Sequence, residues 1–281
     1  MIESRLFRSA KSRLQIGVSR RMRWLIILSL LLQAGVSRAA DRWYEIELIV
    51  FAYADPAEAS ELWPALPAEP DITDAILAPG TIVLPTLPSN PLAPSTRELL
   101  RVSTVPPNQY RLNAAYQSLT RSRLYTPILH TAWRQPVGSG RNTLKVRIAG
   151  GKDFSGVYGI DGERLDTGSP PAMSGLWQID GFVSFRSQQL LFATVDMIFR
   201  REQTVIPAVA TPVAPESNLS WQTTTPEPVA IEQKVQFYRL NQSRRVRSGE
   251  VQYFDHPMFG VIVEMRPLEP GLEEQLEELT Q

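Results

Sequence analysis

The chain has 281 residues, with 29 Lys and Arg balanced by 29 Asp and Glu, 23 prolines and no cysteine. Without cysteine there is no disulfide framework, no thiol nucleophile and no acylated thiol to tether the chain to a membrane. The neutrality rests on the first residues: removing 1–39 takes away eight basic side chains and only Glu3, leaving 21 basic and 28 acidic, a net charge of −7. That sign is opposite to a nucleic-acid binder's, so nucleic acid is excluded as a partner.

Those first residues read as a signal segment at 1–39. Arg20, Arg21 and Arg23 precede the apolar run Trp24 to Leu32, and Ser37 and Ala39 place small residues before a cut after Ala39. A cut after Ala40 would put Arg38 at the third position back. The run falls well short of the roughly 20 apolar residues a spanning helix needs, so a retained anchor is the weaker reading. Met22 is an alternative start, and Arg20-Arg21 leaves a twin-arginine route open. The expectation is a soluble exported domain over 40–281, with one core and no stable membrane anchor after cleavage.

That domain opens with a strand, in which Tyr44, Ile46, Leu48 and Val50 alternate with Glu45 and Glu47. Nine prolines between Pro56 and Pro94 then rule out a helix or inner strand, so 56–95 is expected to be a surface excursion. Its Trp63, Leu66, Ile72, Ile76 and Leu77 are expected to lie against the domain. Leu112, Ala115, Tyr116, Leu119 and Leu124 predict the main helix, over Leu112 to Leu124. Strands follow at Thr126 to Trp133, ended by Pro136, and at Leu144 to Ile148, ended by Gly150-Gly151. Loop is expected from there to Ser174.

Leu176 to Ser184 and Leu190 to Arg200 predict a hairpin, with Leu191, Ala193, Val195, Met197 and Phe199 on one face. A second Pro-rich excursion is expected at 202–230, then strands at Val235 to Leu240 and Val261 to Met265. A short acidic helix from Leu272 to Leu279 closes the chain. The fold class is α+β: a mostly antiparallel β-sheet domain with one main helix, long Pro-rich loops and a short C-terminal helix.

Chemistry has few places to sit. The only histidines, His130 and His256, lie 126 residues apart, and no tight ligand pairing marks a metal site. Asp255-His256-Pro257 reads as a turn capped by the Asp side chain. No nucleophile elbow is present, and no pair of carboxylates is singled out for glycosidic cleavage. No catalytic residue, metal or cofactor is therefore assigned, and the chain is read as a non-enzyme. Against the acidic background, Arg239, Arg244, Arg245 and Arg247 reverse the sign within nine residues. A loop of such guanidinium forks suits a carboxylate-bearing ligand, or else internal carboxylates. Trp43, Trp133, Trp177, Tyr44, Tyr238 and Tyr253 offer flat faces to sugar rings, although packing is the commoner use of each.

Three blocks carry a family resemblance: Arg42-Trp43-Tyr44-Glu45-Ile46-Glu47-Leu48-Ile49-Val50-Phe51, Pro127-Ile128-Leu129-His130-Thr131-Ala132-Trp133-Arg134-Gln135-Pro136, and Ser243 to Glu264. In the last, Ser243-Arg244-Arg245-Val246-Arg247-Ser248-Gly249-Glu250 with Tyr253-Phe254-Asp255-His256-Pro257 is the most specific stretch. Together they resemble the CsiV-type peptidoglycan-binding family. One departure is Val251-Gln252, where the family is expected to place Leu-His. The resemblance implies a Gram-negative periplasmic protein that binds peptidoglycan and supports cell-shape integrity by assisting wall synthesis. It supplies no ligand residues. From the residues themselves, the expected recognition surface comprises His130, Trp133, Arg134, Arg244, Arg245, Arg247, Tyr253, Asp255 and His256. The rival readings are an adaptor for a wall synthase or its lipoprotein activator and a wall hydrolase.

Overall fold

The computed structural model describes residues 42–55, 64, 66–79, 81, 101–138, 143–166, 175–205, 232–272 and 275–276. The signal segment, Trp63, most of both Pro-rich excursions and most of the acidic C-terminal helix lie outside the described residues. In chain order come β1 (Arg42–Tyr53), β2 (Ile76–Leu77), β3 (Ser103–Thr104), α1 (Asn113–Arg121), β4 (Tyr125–Val137) and β5 (Lys145–Asp153). These are followed by β6 (Trp177–Ser187), β7 (Leu191–Val205), β8 (Glu232–Val246), β9 (Val251–His256) and β10 (Phe259–Pro267). The fold is α+β, as its alternation of strands with one main helix predicts.

The strands form two five-stranded sheets. One has the order β3-β4-β1-β10-β9, the other β2-β5-β6-β7-β8. All pairings are antiparallel except β2 with β5. The period-two faces meet across a shared core: Ile46, Leu48 and Val50 of β1 and Val261 and Val263 of β10 cluster with Ile148, Ile179, Val195, Met197 and Phe199. Burying these side chains at about 25 cal/mol per Å² is the main source of stability. The second sheet also buries its other face. Ile198, Val235 and Phe237 pack with Phe154, Tyr158 and Leu176 in a smaller cluster, which corrects the expectation of a single core.

Several boundaries differ from expectation, each for a physical reason. β4 runs on through Pro136. The Val105 N–H donates to the Ala132 carbonyl, so even-numbered residues here turn their backbone toward β3. Pro136 lies beyond the short β3, where its missing N–H removes no ladder bond. Gly150 and Gly151 do not end β5 but sit in a shift of register against β6, with Gly151 at φ +79°. β7 continues to Val205 because Glu202–Val205 pair with Glu232–Val235, so the second excursion begins later than 202. β8 extends to Val246, which turns the expected arginine loop into strand.

β9 is a further strand, joined to β10 by the two-residue turn Pro257-Met258. The cap on that turn comes from His256 rather than Asp255: the Met258 N–H donates to His256 Nδ1 at 3.1 Å. The first excursion does lie against the domain at Ile76 and Ala78, both buried, while Leu66 is exposed.

The loop over the smaller cluster is pinned at Gly162. Its φ is +82°, and a Cβ there would stand 2.3 Å from the Val235 carbonyl oxygen. Gly162→Ala is therefore expected to lower stability by about 1–3 kcal/mol, seen as an earlier urea midpoint with unchanged slope.

Candidate functional site

β1 turns Glu45 and Glu47 to the face of its sheet opposite the core, and the neighbouring strands answer them. Glu45 pairs with Arg134 of β4 and Arg266 of β10, and Glu47 with Glu264. Arg266 donates to Glu45 at 2.9 Å and to Glu264, and Arg134 donates to Glu45 at 3.0 Å. Glu47 is fully buried. Its carboxylate accepts the Arg111 and Leu112 N–H groups, each at 2.8 Å, and lies 2.8 Å from His130 Nε2. Burial pushes its pKa up, yet the bonds to His130, Arg111 and Leu112 outweigh that and hold it below the usual range.

This carboxylate docks α1. Leu112 is the N-cap residue and has no side-chain cap of its own, so a glutamate from another element takes two of the donors at the helix start. Tyr110 and Tyr116 close over the His130 ring, at 4.8 and 4.9 Å between centroids. His130 and Arg134 thus belong to a buried ionic network beneath α1. Trp133 points the other way, into the core, fully buried with Nε1 bonded to Gln135 at 2.7 Å.

The closing block divides as well. His256 is 5% exposed, and burial lowers its pKa to about 4, against the pull of Asp255. Arg239 is taken by Asp196 through two 2.8 Å bonds. Arg244, Arg245 and Arg247 are exposed. Arg244 lies 4.1 Å over the Phe254 ring, and Arg247 makes only a 3.5 Å contact with Glu250. Arg245 pairs with Phe192, a row away from Arg244 on the opposite face of β8. Of the nine expected surface residues, the structure brings five solvent-facing ones to the β8–β9 corner: Arg244, Arg245, Arg247, Tyr253 and Asp255. His130, Trp133, Arg134 and His256 are placed elsewhere, in the network or the core.

Tyr253 is the accessible aromatic of this corner, 40% exposed, whereas Trp43, Trp133, Tyr44 and Tyr238 are buried. It stacks on Phe51 at 6.1 Å and 7° between planes. The space for that pair exists because Gly260 lies beneath it: a Cβ there would meet Phe51 at 2.6 Å and Tyr253 at 2.7 Å. The Tyr253 and Tyr53 hydroxyls are 2.6 Å apart, and both donate to Asp255 Oδ1, at 2.7 and 3.0 Å. Burial and these bonds push the Tyr253 pKa up, so the phenol stays protonated. Tyr125 completes the patch against Phe51 and Tyr53.

A family model described as peptidoglycan-binding protein, CsiV, matches residues 23–268. The chain belongs to the CsiV family. No curated protein matches the chain significantly. Among solved structures, the InvG secretin domain β-barrel from the Salmonella SPI-1 injectisome NC-base is similar over 91% of this chain and 72% of that chain, at 11% identity and a TM-score of 0.24. That likeness is too slight to carry an argument.

In this CsiV chain the three blocks of resemblance map onto β1, β4 and the β8–β9–β10 corner, which are contiguous across one sheet and its junction with the other. The ionic network was missed in the sequence. Its signal was there: Glu45 and Glu47 alternate with apolar residues in the opening strand, and Glu264 and Arg266 do the same in the closing one, which marks charges of both signs on the faces turned from the core. Among the described residues no group of three His, Asp or Glu could hold a metal, and no helix is long and apolar enough to cross a membrane.

His256 sets a pH dependence. Its folded pKa, about 4, lies below the ordinary 6.5, so the unfolded chain takes up a proton first. Stability is fully present above about pH 6.5 and falls as pH drops toward 4, by about 3 kcal/mol at most. Denaturant titrations at pH 7, 5.5 and 4 should show this loss, and His256→Gln should flatten that segment of the profile.

Proposed function

We propose that this chain is a non-enzymatic periplasmic protein that binds peptidoglycan and supports wall synthesis and cell-shape integrity. The family match supports the ligand. The observation that carries the surface is Tyr253, an exposed ring held flat on Phe51 with its hydroxyl tied to Asp255. A sugar ring stacks on such a face while a carboxylate accepts its hydroxyls. Arg244 and Arg247, a few residues away along the same corner, suit the carboxylates of stem peptides. The leader read at 1–39 supports the compartment, and contact with the synthase machinery would let wall binding assist synthesis.

Co-sedimentation with purified sacculi tests this reading. The wild-type chain should sediment, and Tyr253→Ala, assayed at a temperature where it stays folded, should bind about tenfold more weakly, its unfolding midpoint falling with the loss of the Phe51 contact and the Asp255 bond. Arg244→Ala combined with Arg245→Ala should weaken retention further. Retention unaffected by all three changes would remove this surface from the reading, and release of soluble muropeptides by the purified protein would overturn its non-enzymatic part.

A further inference from the structure

The second sheet carries a cleft of about 300 Å³ on the face away from the main core, at the small end of the range for ligand pockets. Arg200 of β7 lines it. Its side chain is 4% exposed, which is costly for a charge without full compensation. Nη1 donates to the Trp177 carbonyl at 2.8 Å. Nε meets no acceptor among the described residues. The guanidinium carbon lies 5.4 Å from the Phe237 ring centroid, a favourable but minor compensation.

The two carboxylates in the same cleft leave this charge under-matched. Asp180 is already held by Arg147 through two 2.8 Å bonds. Glu69 stands 3.8 Å from Arg200, beyond hydrogen-bond distance, with its own side chain 73% exposed. Ile160, 72% exposed, and the buried Leu176 form apolar walls. A buried guanidinium with a loosely placed, solvent-facing carboxylate over it is arranged for exchange of that carboxylate for another.

We infer that this cleft binds a carboxylate borne on a small apolar group, seated on Arg200 in place of Glu69 and flanked by Ile160 and Leu176. Resting on the peptidoglycan reading, the source is the terminal carboxylate of a stem peptide. Arg201, the next residue of β7, donates to the Tyr53 and Ala54 carbonyls at 3.3 and 3.1 Å. Arg201 therefore turns toward the first sheet, whereas Arg200, one position before it, turns to the opposite face of β7, so the cleft is a site separate from the aromatic patch.

The test is titration of the full chain with N-acetyl-D-alanyl-D-alanine, its C-terminal amide and acetate, followed by calorimetry or amide chemical shifts. The acid should bind about tenfold more tightly than the amide, and acetate more weakly than the acid. Glu69→Gln, at an exposed position, should tighten the acid about threefold by removing the competitor. Ile160→Asp should weaken it about tenfold through like-charge repulsion, without moving the unfolding midpoint. Equal binding of acid and amide, or Glu69→Gln without gain, overturns the proposal, and acetate binding as tightly as the peptide overturns the stem-peptide source. A chain that sediments with sacculi yet ignores the peptide overturns the cleft alone. One that does not sediment overturns the peptidoglycan reading itself.

Discussion

A single buried carboxylate organises the outer face of the first sheet. Glu47 leaves water completely, and such a transfer is tolerated only when several donors replace the lost hydration. Those donors come from three separate places in the chain: His130 on β4, the Arg111 and Leu112 N–H groups that lead into α1, and Arg266 on β10 at 3.4 Å. The carboxylate therefore ties the central strand of the sheet to both neighbours and to the only long helix described. The helix has little else to fix its start, since Leu112 offers no capping oxygen. The direction of α1, and with it the cover over His130 on β4, follows from charge complementarity as much as from apolar burial.

The aromatic patch lies on the same face, at the end of β1 that carries Phe51 and Tyr53. β9 forms the edge there, and it reaches the edge through a turn at 247–250 that carries the chain from the second sheet to the first. Gly249, at φ +78°, takes the left-handed conformation the turn requires. The turn brings Arg244, Arg245 and Arg247 to the same corner of the fold as Tyr253 and Asp255, with Arg244 and Arg245 on opposite faces of β8. The stacking of Arg244 on Phe254 covers an otherwise open end of the core with a side chain that is apolar along its faces and charged at its rim.

Alternation made much of the fold legible. β1, the β6–β7 hairpin and β10 announce themselves because one face of each enters the shared core and selects apolar side chains at every second position. The misread elements are those whose partners decide the outcome. Pro136 and Gly150 look like terminators, but their effect depends on which edge their backbone faces, and the sequence does not show edges. Glu202 to Val205 and Glu232 to Val235 look like linker because both are polar, yet they pair with each other at the end of a long two-stranded ribbon. The recognition residues suffered similarly. His130, Trp133 and Arg134 are neighbours in sequence, but the pleat sends Trp133 to one side and the other two to the opposite side, so no single surface could hold all three. Arg200 was invisible because its meaning lies in what fails to pair with it.

Gly260 has a kinetic consequence. A side chain that must choose a rotamer on contact gives up entropy at that moment. The Tyr253 ring, lodged over the bare backbone of Gly260 and tethered at its hydroxyl, has surrendered that freedom on folding. On the proposed reading, a flat ligand would meet a ring already in place, and variation among such ligands would be expressed in how long each stays rather than in how fast it arrives.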